Sequence, residues 1–201
     1  MYQYVPNGIT WSRLVISFPL GALTFFSAVS PACHVVALAL MAYVMVSDFA
    51  DGRLARRWHV VSPSGAWLDQ LADKLVDGCV YLALVLLYRD RLLLLLAAGI
   101  GLRHVVIMIL RQQARSMATA IPARRSGKIR TALSFGLSFV LLARVPYRVG
   151  TPHALIESVH HIPAWLMDAT IWLVLAITLF TLVDYCRAHR HLFHRALPMQ
   201  R

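Results

Sequence analysis

Residues 48–73 read DFADGRLARRWHVVSPSGAWLDQLAD, a polar window set between two long apolar runs. It holds Asp48, Asp51, Asp69 and Asp73, and with Asp77 it takes five of the nine acidic residues in the 201-residue chain. Carboxylates beside apolar helices are costly and persist where a metal, a proton or a substrate uses them. Asp48 and Asp51 are three apart and Asp69 and Asp73 four apart, so each pair projects from one face of a helix. Ser62-Pro63-Ser64-Gly65 breaks the chain between the two helices, and Pro63 suits a first helical turn. A short turn makes the helices antiparallel, so the carboxylates of both converge at one end of the bundle.

Outward from this window the chain is apolar. It is 59% hydrophobic and 14% charged, which fits a polytopic membrane protein and not a soluble domain. Apolar runs long enough to span a bilayer lie near 14–31, 33–48, 65–88, 92–112, 131–147 and 163–184. The expected fold is therefore all-α and integral to the membrane, with six transmembrane helices in one domain covering 1–201. Residues 1–13 form an interfacial N-terminal segment, in which Tyr2, Tyr4 and Trp11 suit the headgroup level, and 186–201 form a basic tail. No basic stretch precedes an apolar core at the N-terminus, so it reads as a retained anchor. Polar residues at the inner ends of the third and fourth spans predict helices that protrude from the bilayer.

The net charge of +11 raises nucleic acid as a partner, but the arrangement of charge excludes it. Basic residues cluster at Arg53–Arg57, Arg111–Arg130 and Arg187–Arg201. With the N-terminus inside, sixteen of the twenty Lys and Arg fall on the cytoplasmic side, leaving Arg89, Arg91, Arg144 and Arg148 outside. That side faces anionic headgroups, and no aromatic-basic interleaving suited to base stacking is present. Cys33, Cys79 and Cys186 have no metal-type spacing and read as small buried hydrophobes. His189, His191 and His194 sit in the basic tail, which reads as solvated and lipid-facing.

Four carboxylates at one point repel unless a cation intervenes. One or two divalent ions remove the repulsion and supply a Lewis acid, and all-oxygen ligation favours Mg²⁺, Mn²⁺ or Ca²⁺ over zinc. Gly52 and Ala55 leave room for a ligand against the helix backbone, and Arg56 offers a planar fork for phosphate. Together these describe phosphoryl transfer. The same residues also permit an ion or proton relay in a transporter, or interhelical salt bridges between Asp and Arg.

Eight of these residues, Asp48, Asp51, Gly52, Ala55, Arg56, Gly65, Asp69 and Asp73, match D-x2-D-G-x2-A-R-x8-G-x3-D-x3-D at every fixed position. The chain thereby resembles the CDP-alcohol phosphatidyltransferases. The resemblance implies a six-helix membrane enzyme, usually a homodimer, with its active site at the cytoplasmic interface of the bacterial inner membrane. Such enzymes move a substituted phosphate from a CDP-linked donor to an alcohol and release CMP. It further implies that Asp48, Asp51 and Asp69 ligate metal, Mg²⁺ or Mn²⁺ and two ions in all. Asp73 takes the acceptor's proton and touches the second metal. Gly52, Arg56 and Ser62 would contact the CDP donor. Asn7 and Thr10, in PNGITWSR, resemble an N-terminal Asn-x-x-Thr that helps hold the nucleotide, and Arg13 completes that pattern.

The match extends to the phosphatidylglycerophosphate synthase branch. Asp69–Lys74 carries its D-x-x-A-D-K run, Arg103 and Arg111 resemble its R-x7-R, and Gly127–Thr131 resembles its G-K-x-K-T. Gln70 departs where proline is common, and His104 where glutamate is usual. The implied donor is CDP-diacylglycerol and the implied acceptor glycerol 3-phosphate. The phosphate of that acceptor would meet Arg103, Arg111, Lys128 and Arg130, although positive-inside bias alone also places cations there. Arg103 lies within an apolar run and needs a partner or a polar cavity. Phosphatidylglycerol, as in a cardiolipin synthase, or an inositol phosphate remain alternative acceptors. An ion-coupled transporter and a catalytically silent interaction protein remain alternatives to the enzyme.

Overall fold

The computed structural model describes residues 5–57, 63–116, 125–145 and 163–188. These form six long helices: α1 Val5–Phe26, α2 Pro31–Arg57, α3 Pro63–Tyr88, α4 Arg91–Ser116, α5 Arg125–Ala143 and α6 Ala164–Ala188. The all-α expectation is met, and the chain is an integral membrane protein. By length and hydropathy, Pro31–Asp48, Arg91–Ala114 and Ala164–Ala188 can each cross a bilayer, and Ile129–Ala143 is a shorter apolar stretch.

The first helix is continuous from Val5 to Phe26, so the expected N-terminal segment from Val5 onward and the span expected from near residue 14 share one helix. The reason lies in its two faces. Thr10, Arg13, Ser17, Leu20, Thr24 and Ser27 recur every three or four residues and are all buried. Trp11, Val15, Phe18, Phe25 and Phe26 occupy the exposed side. A polar buried stripe under an apolar surface is the arrangement expected of a helix solvated by lipid, and an average over a window blurs it. Several of the hydroxyls bond within the helix: Ser17 Oγ donates to the Leu14 carbonyl at 2.7 Å and Ser27 Oγ to the Thr24 carbonyl at 2.6 Å.

A short turn joins α1 to α2. Ser30 caps α2, its Oγ accepting from the Cys33 amide at 3.4 Å, and Pro31 occupies the first helical position. The 27 residues of α2 give a length of about 40 Å at 1.5 Å per residue, longer than a hydrocarbon core of roughly 30 Å. The apolar stretch ends at Asp48, and the helix runs on past it to Arg57. The α3–α4 link is just Arg89 and Asp90, with Arg89 at φ 52° to turn the chain sharply.

The helices group into two packed units. One comprises α1, α2, α3 and α5 from Phe135 onward; the other comprises α4, α5 up to Ser134, and α6. In the first, α1 packs on both α2 and α3. Gly21 permits that closeness: a Cβ there would lie 3.0 Å from the Cys79 Cβ and 3.2 Å from the Cys79 carbonyl oxygen. In the same unit Tyr88 Oη donates to the Leu141 carbonyl at 2.8 Å. In the second, α4 packs on α6, where a Cβ on Gly99 would meet Leu175 Cδ1 at 3.1 Å.

Candidate active site

The end of α2 and the start of α3 bring Asp48, Asp69 and Asp73 together, as their spacing predicted. One carboxylate oxygen from each lies within 4.8 Å of the others. Asp51, Gly52, Ala55 and Arg56 are carried by the last two turns of α2, but their side chains lie outside the described residues, as does the side chain of Asn7. Ser62, residues 146–162 and His189, His191 and His194 of the tail lie outside them altogether. Thr10 is buried on α1, one turn before Arg13.

Arg13 is the residue whose place the sequence did not reveal. It is fully buried and reaches all three aspartates. Nη1 donates to Asp48 Oδ1 at 2.8 Å and to Asp73 Oδ1 at 2.9 Å, and Nη2 donates to Asp69 Oδ1. A buried guanidinium is tolerated when its donors are matched to anions in this way. Salt bridges and a metal-type cluster, weighed in the sequence as alternatives, thus coexist on the same carboxylates.

The donor set suits a hard cation. All three groups supply oxygen, their side chains are 30–41% exposed and so reachable, and three carboxylates against one guanidinium leave a formal excess of two negative charges. One divalent ion cancels that excess.

In the other unit, the basic residues are gathered from α4 and α5, and two of them meet hydroxyls of α6. Arg103 Nε donates to Thr181 Oγ1 at 3.2 Å, and a Cβ on Gly127 would sit 3.4 Å from Arg103 Nη2. Arg130 is buried, with Nη2 at 3.4 Å from His104 Nε2. Arg111 Nε lies 3.4 Å from Tyr185 Oη, and that ring packs into a small apolar core with Ile107 and Leu110. Arg103, Arg111 and Arg130 are thus each anchored, Arg103 finding the polar partner its apolar setting required. Lys128 is on the same helix as Arg130, its side chain outside the described residues. Sequence reasoning missed the anchors Thr181 and Tyr185; two hydroxyls four apart, and so on one helix face, were the available signal.

A membrane-embedded helical chain with an oxygen-only carboxylate cluster and a separate basic cluster is a narrow class. The family model for CDP-alcohol phosphatidyltransferase matches residues 3–183, and the chain belongs to that family, one of membrane transferases that depend on divalent metal. Among individual relatives, the chain is 30% identical over 189 residues to the CDP-diacylglycerol–glycerol-3-phosphate 3-phosphatidyltransferase of Pseudomonas fluorescens, covering 92% of this chain and 89% of that one. It is 33% identical over 144 residues to the protein of the same name from Rickettsia felis, covering 69% and 75%. A probable CMP-forming cardiolipin synthase of Drosophila melanogaster is 27% identical over 162 residues, covering 74% of this chain and 47% of that one.

Proposed function

We propose that this chain transfers the phosphatidyl group of CDP-diacylglycerol to a hydroxyl of glycerol 3-phosphate, forming phosphatidylglycerophosphate and CMP. The observation that carries the reading is the cluster of Asp48, Asp69 and Asp73 formed by the end of α2 and the start of α3. The names of the Pseudomonas and Rickettsia relatives supply the substrates.

Asp48, Asp51 and Asp69 hold the metal, with Mg²⁺ or Mn²⁺ the ions that fit and two the expected number. When bound, these ions screen the donor diphosphate and draw electron density from the phosphorus under attack. Asp73 accepts the proton of the acceptor hydroxyl as general base and would offer an oxygen to a second ion. The hydroxyl oxygen forms a bond to the phosphorus bearing diacylglycerol while the bond to the CMP oxygen breaks. Asn7, Thr10, Gly52, Arg56 and Ser62 hold the CDP moiety in line. Arg103, Arg111, Lys128 and Arg130 receive the acceptor's phosphate, and anchoring on Thr181, Tyr185 and His104 limits how far the arginines wander. In this reading residues 1–201 act as one catalytic domain, working as a homodimer in the bacterial inner membrane. The positive-inside distribution of Lys and Arg supports an active site facing the cytoplasm.

The test is CMP release by purified protein with Mg²⁺ or Mn²⁺, CDP-diacylglycerol, and glycerol 3-phosphate, phosphatidylglycerol or an inositol phosphate in turn. Release with glycerol 3-phosphate alone is expected. Release with phosphatidylglycerol instead moves the chain to cardiolipin synthesis, and none with any acceptor rejects the transferase reading.

A further inference from the structure

We infer that Arg13 is a built-in counter-ion of the aspartate triad, holding Asp48, Asp69 and Asp73 assembled when no divalent ion is bound. This rests on the reading of the triad as the metal site. The two charges approach from opposite sides. The Arg13 side chain is 1% exposed, whereas those of Asp48, Asp69 and Asp73 are 35%, 41% and 30% exposed. The guanidinium therefore lies behind the carboxylates, in the packed interior of α1, α2 and α3, and the carboxylates present their remaining surface outward.

Each of these three contacts from Arg13 uses a single oxygen, Oδ1, of its partner. The planar fork of arginine makes this possible: two terminal nitrogens reach three carboxylates on two helices. Without that cation three carboxylates within 4.8 Å would repel one another at the ends of α2 and α3. A divalent ion on the open side relieves the same repulsion. Cation behind and cation in front are thus partly interchangeable, and their effects on the folded state are linked. Arg13 is a positioning residue in this scheme; it sets the ligand geometry and does not act on substrate.

The experiment is a thermal melt of the full-length protein in detergent, with and without saturating Mg²⁺, for the wild type, Arg13→Gln and Arg13→Lys. Without Mg²⁺, Arg13→Gln is expected to melt about 6–20 °C lower than the wild type, the scale for breaking a buried ion pair in a chain of this size. Saturating Mg²⁺ is expected to close most of that gap. Arg13→Lys keeps the charge but not the fork, so a smaller gap that Mg²⁺ also narrows is expected; this variant carries the test if Arg13→Gln cannot be recovered folded. A loss equal in size with and without Mg²⁺, as lost packing alone would give, overturns the assignment, and so does no loss in either variant. If Mg²⁺ moves neither the wild type nor the variants, the metal reading itself fails. If Mg²⁺ stabilises the wild type but leaves the gap unchanged, the assignment of Arg13 alone fails.

Discussion

The aspartate cluster and the basic cluster are built in opposite ways. Asp48, Asp69 and Asp73 come from helices adjacent in sequence, and one buried arginine draws all three together. Arg103, Arg111 and Arg130 come from α4 and α5 and are steadied by the hydroxyls of Thr181 and Tyr185 on α6 and the imidazole of His104. The first arrangement fixes anions at short range through ionic contacts. The second fixes cations through weaker hydrogen bonds over long stretches of chain. A site that must hold a metal and a diphosphate in line needs the rigidity of the first. Under the proposed function, the second arrangement receives the small anionic acceptor.

This contrast sets an order of expected effects. Asp73→Asn removes the proposed base and should cut turnover by roughly 10²–10⁴-fold, read as CMP release at saturating substrates. Full activity in that variant would remove Asp73 from the chemistry. Arg103→Gln should raise KM for glycerol 3-phosphate by about 10–100-fold, the loss of a charge-assisted hydrogen bond. It should leave both KM for the donor and the stabilisation by Mg²⁺ unchanged. A parallel rise for the donor would mean the basic cluster is not specific to the acceptor. Gly21→Ala tests the scaffold beneath the first cluster, since its Cβ would crowd the backbone and Cβ of Cys79. A loss of about 1–3 kcal/mol is expected from overpacking, whereas Gly101→Ala, whose Cβ meets nothing within 4 Å, should show none. Tyr185→Phe keeps the packing of the ring and removes only the hydroxyl near Arg111. An increase of a few-fold in acceptor KM is expected, about 1 kcal/mol for a single hydrogen bond.

The two clusters also differed in how far sequence exposed them. The aspartates were legible because fixed helical spacing on either side of one turn dictates which carboxylates face each other. Gly65 and Pro63 marked that turn, and α3 begins at Pro63. The helical ends were legible in part: polar residues foretold that α4 runs past its apolar stretch, as it does to Ser116, whereas α2 also runs past its own, because helix formation does not stop where hydrophobicity does. Arg13 escaped because its partners lie 35 to 60 residues away, a distance no local pattern reports. Its buried stripe, Thr10, Arg13, Ser17, Thr24 and Ser27, was nonetheless written in the sequence at helical period. The basic residues were legible as charges, but not which hydroxyls would anchor them, since that depends on how α4 meets α6.

The central claim is transfer of a phosphatidyl group at the aspartate cluster. Its most direct measurement is the yield of CMP and phosphatidylglycerophosphate formed by the purified protein from CDP-diacylglycerol and glycerol 3-phosphate, with the wild type beside Asp69→Asn. Equal amounts of both products are predicted for the wild type, only when Mg²⁺ or Mn²⁺ is present, with a near-complete loss in Asp69→Asn. Undiminished product from Asp69→Asn, or CMP formed without a phosphatidylated partner, would contradict it.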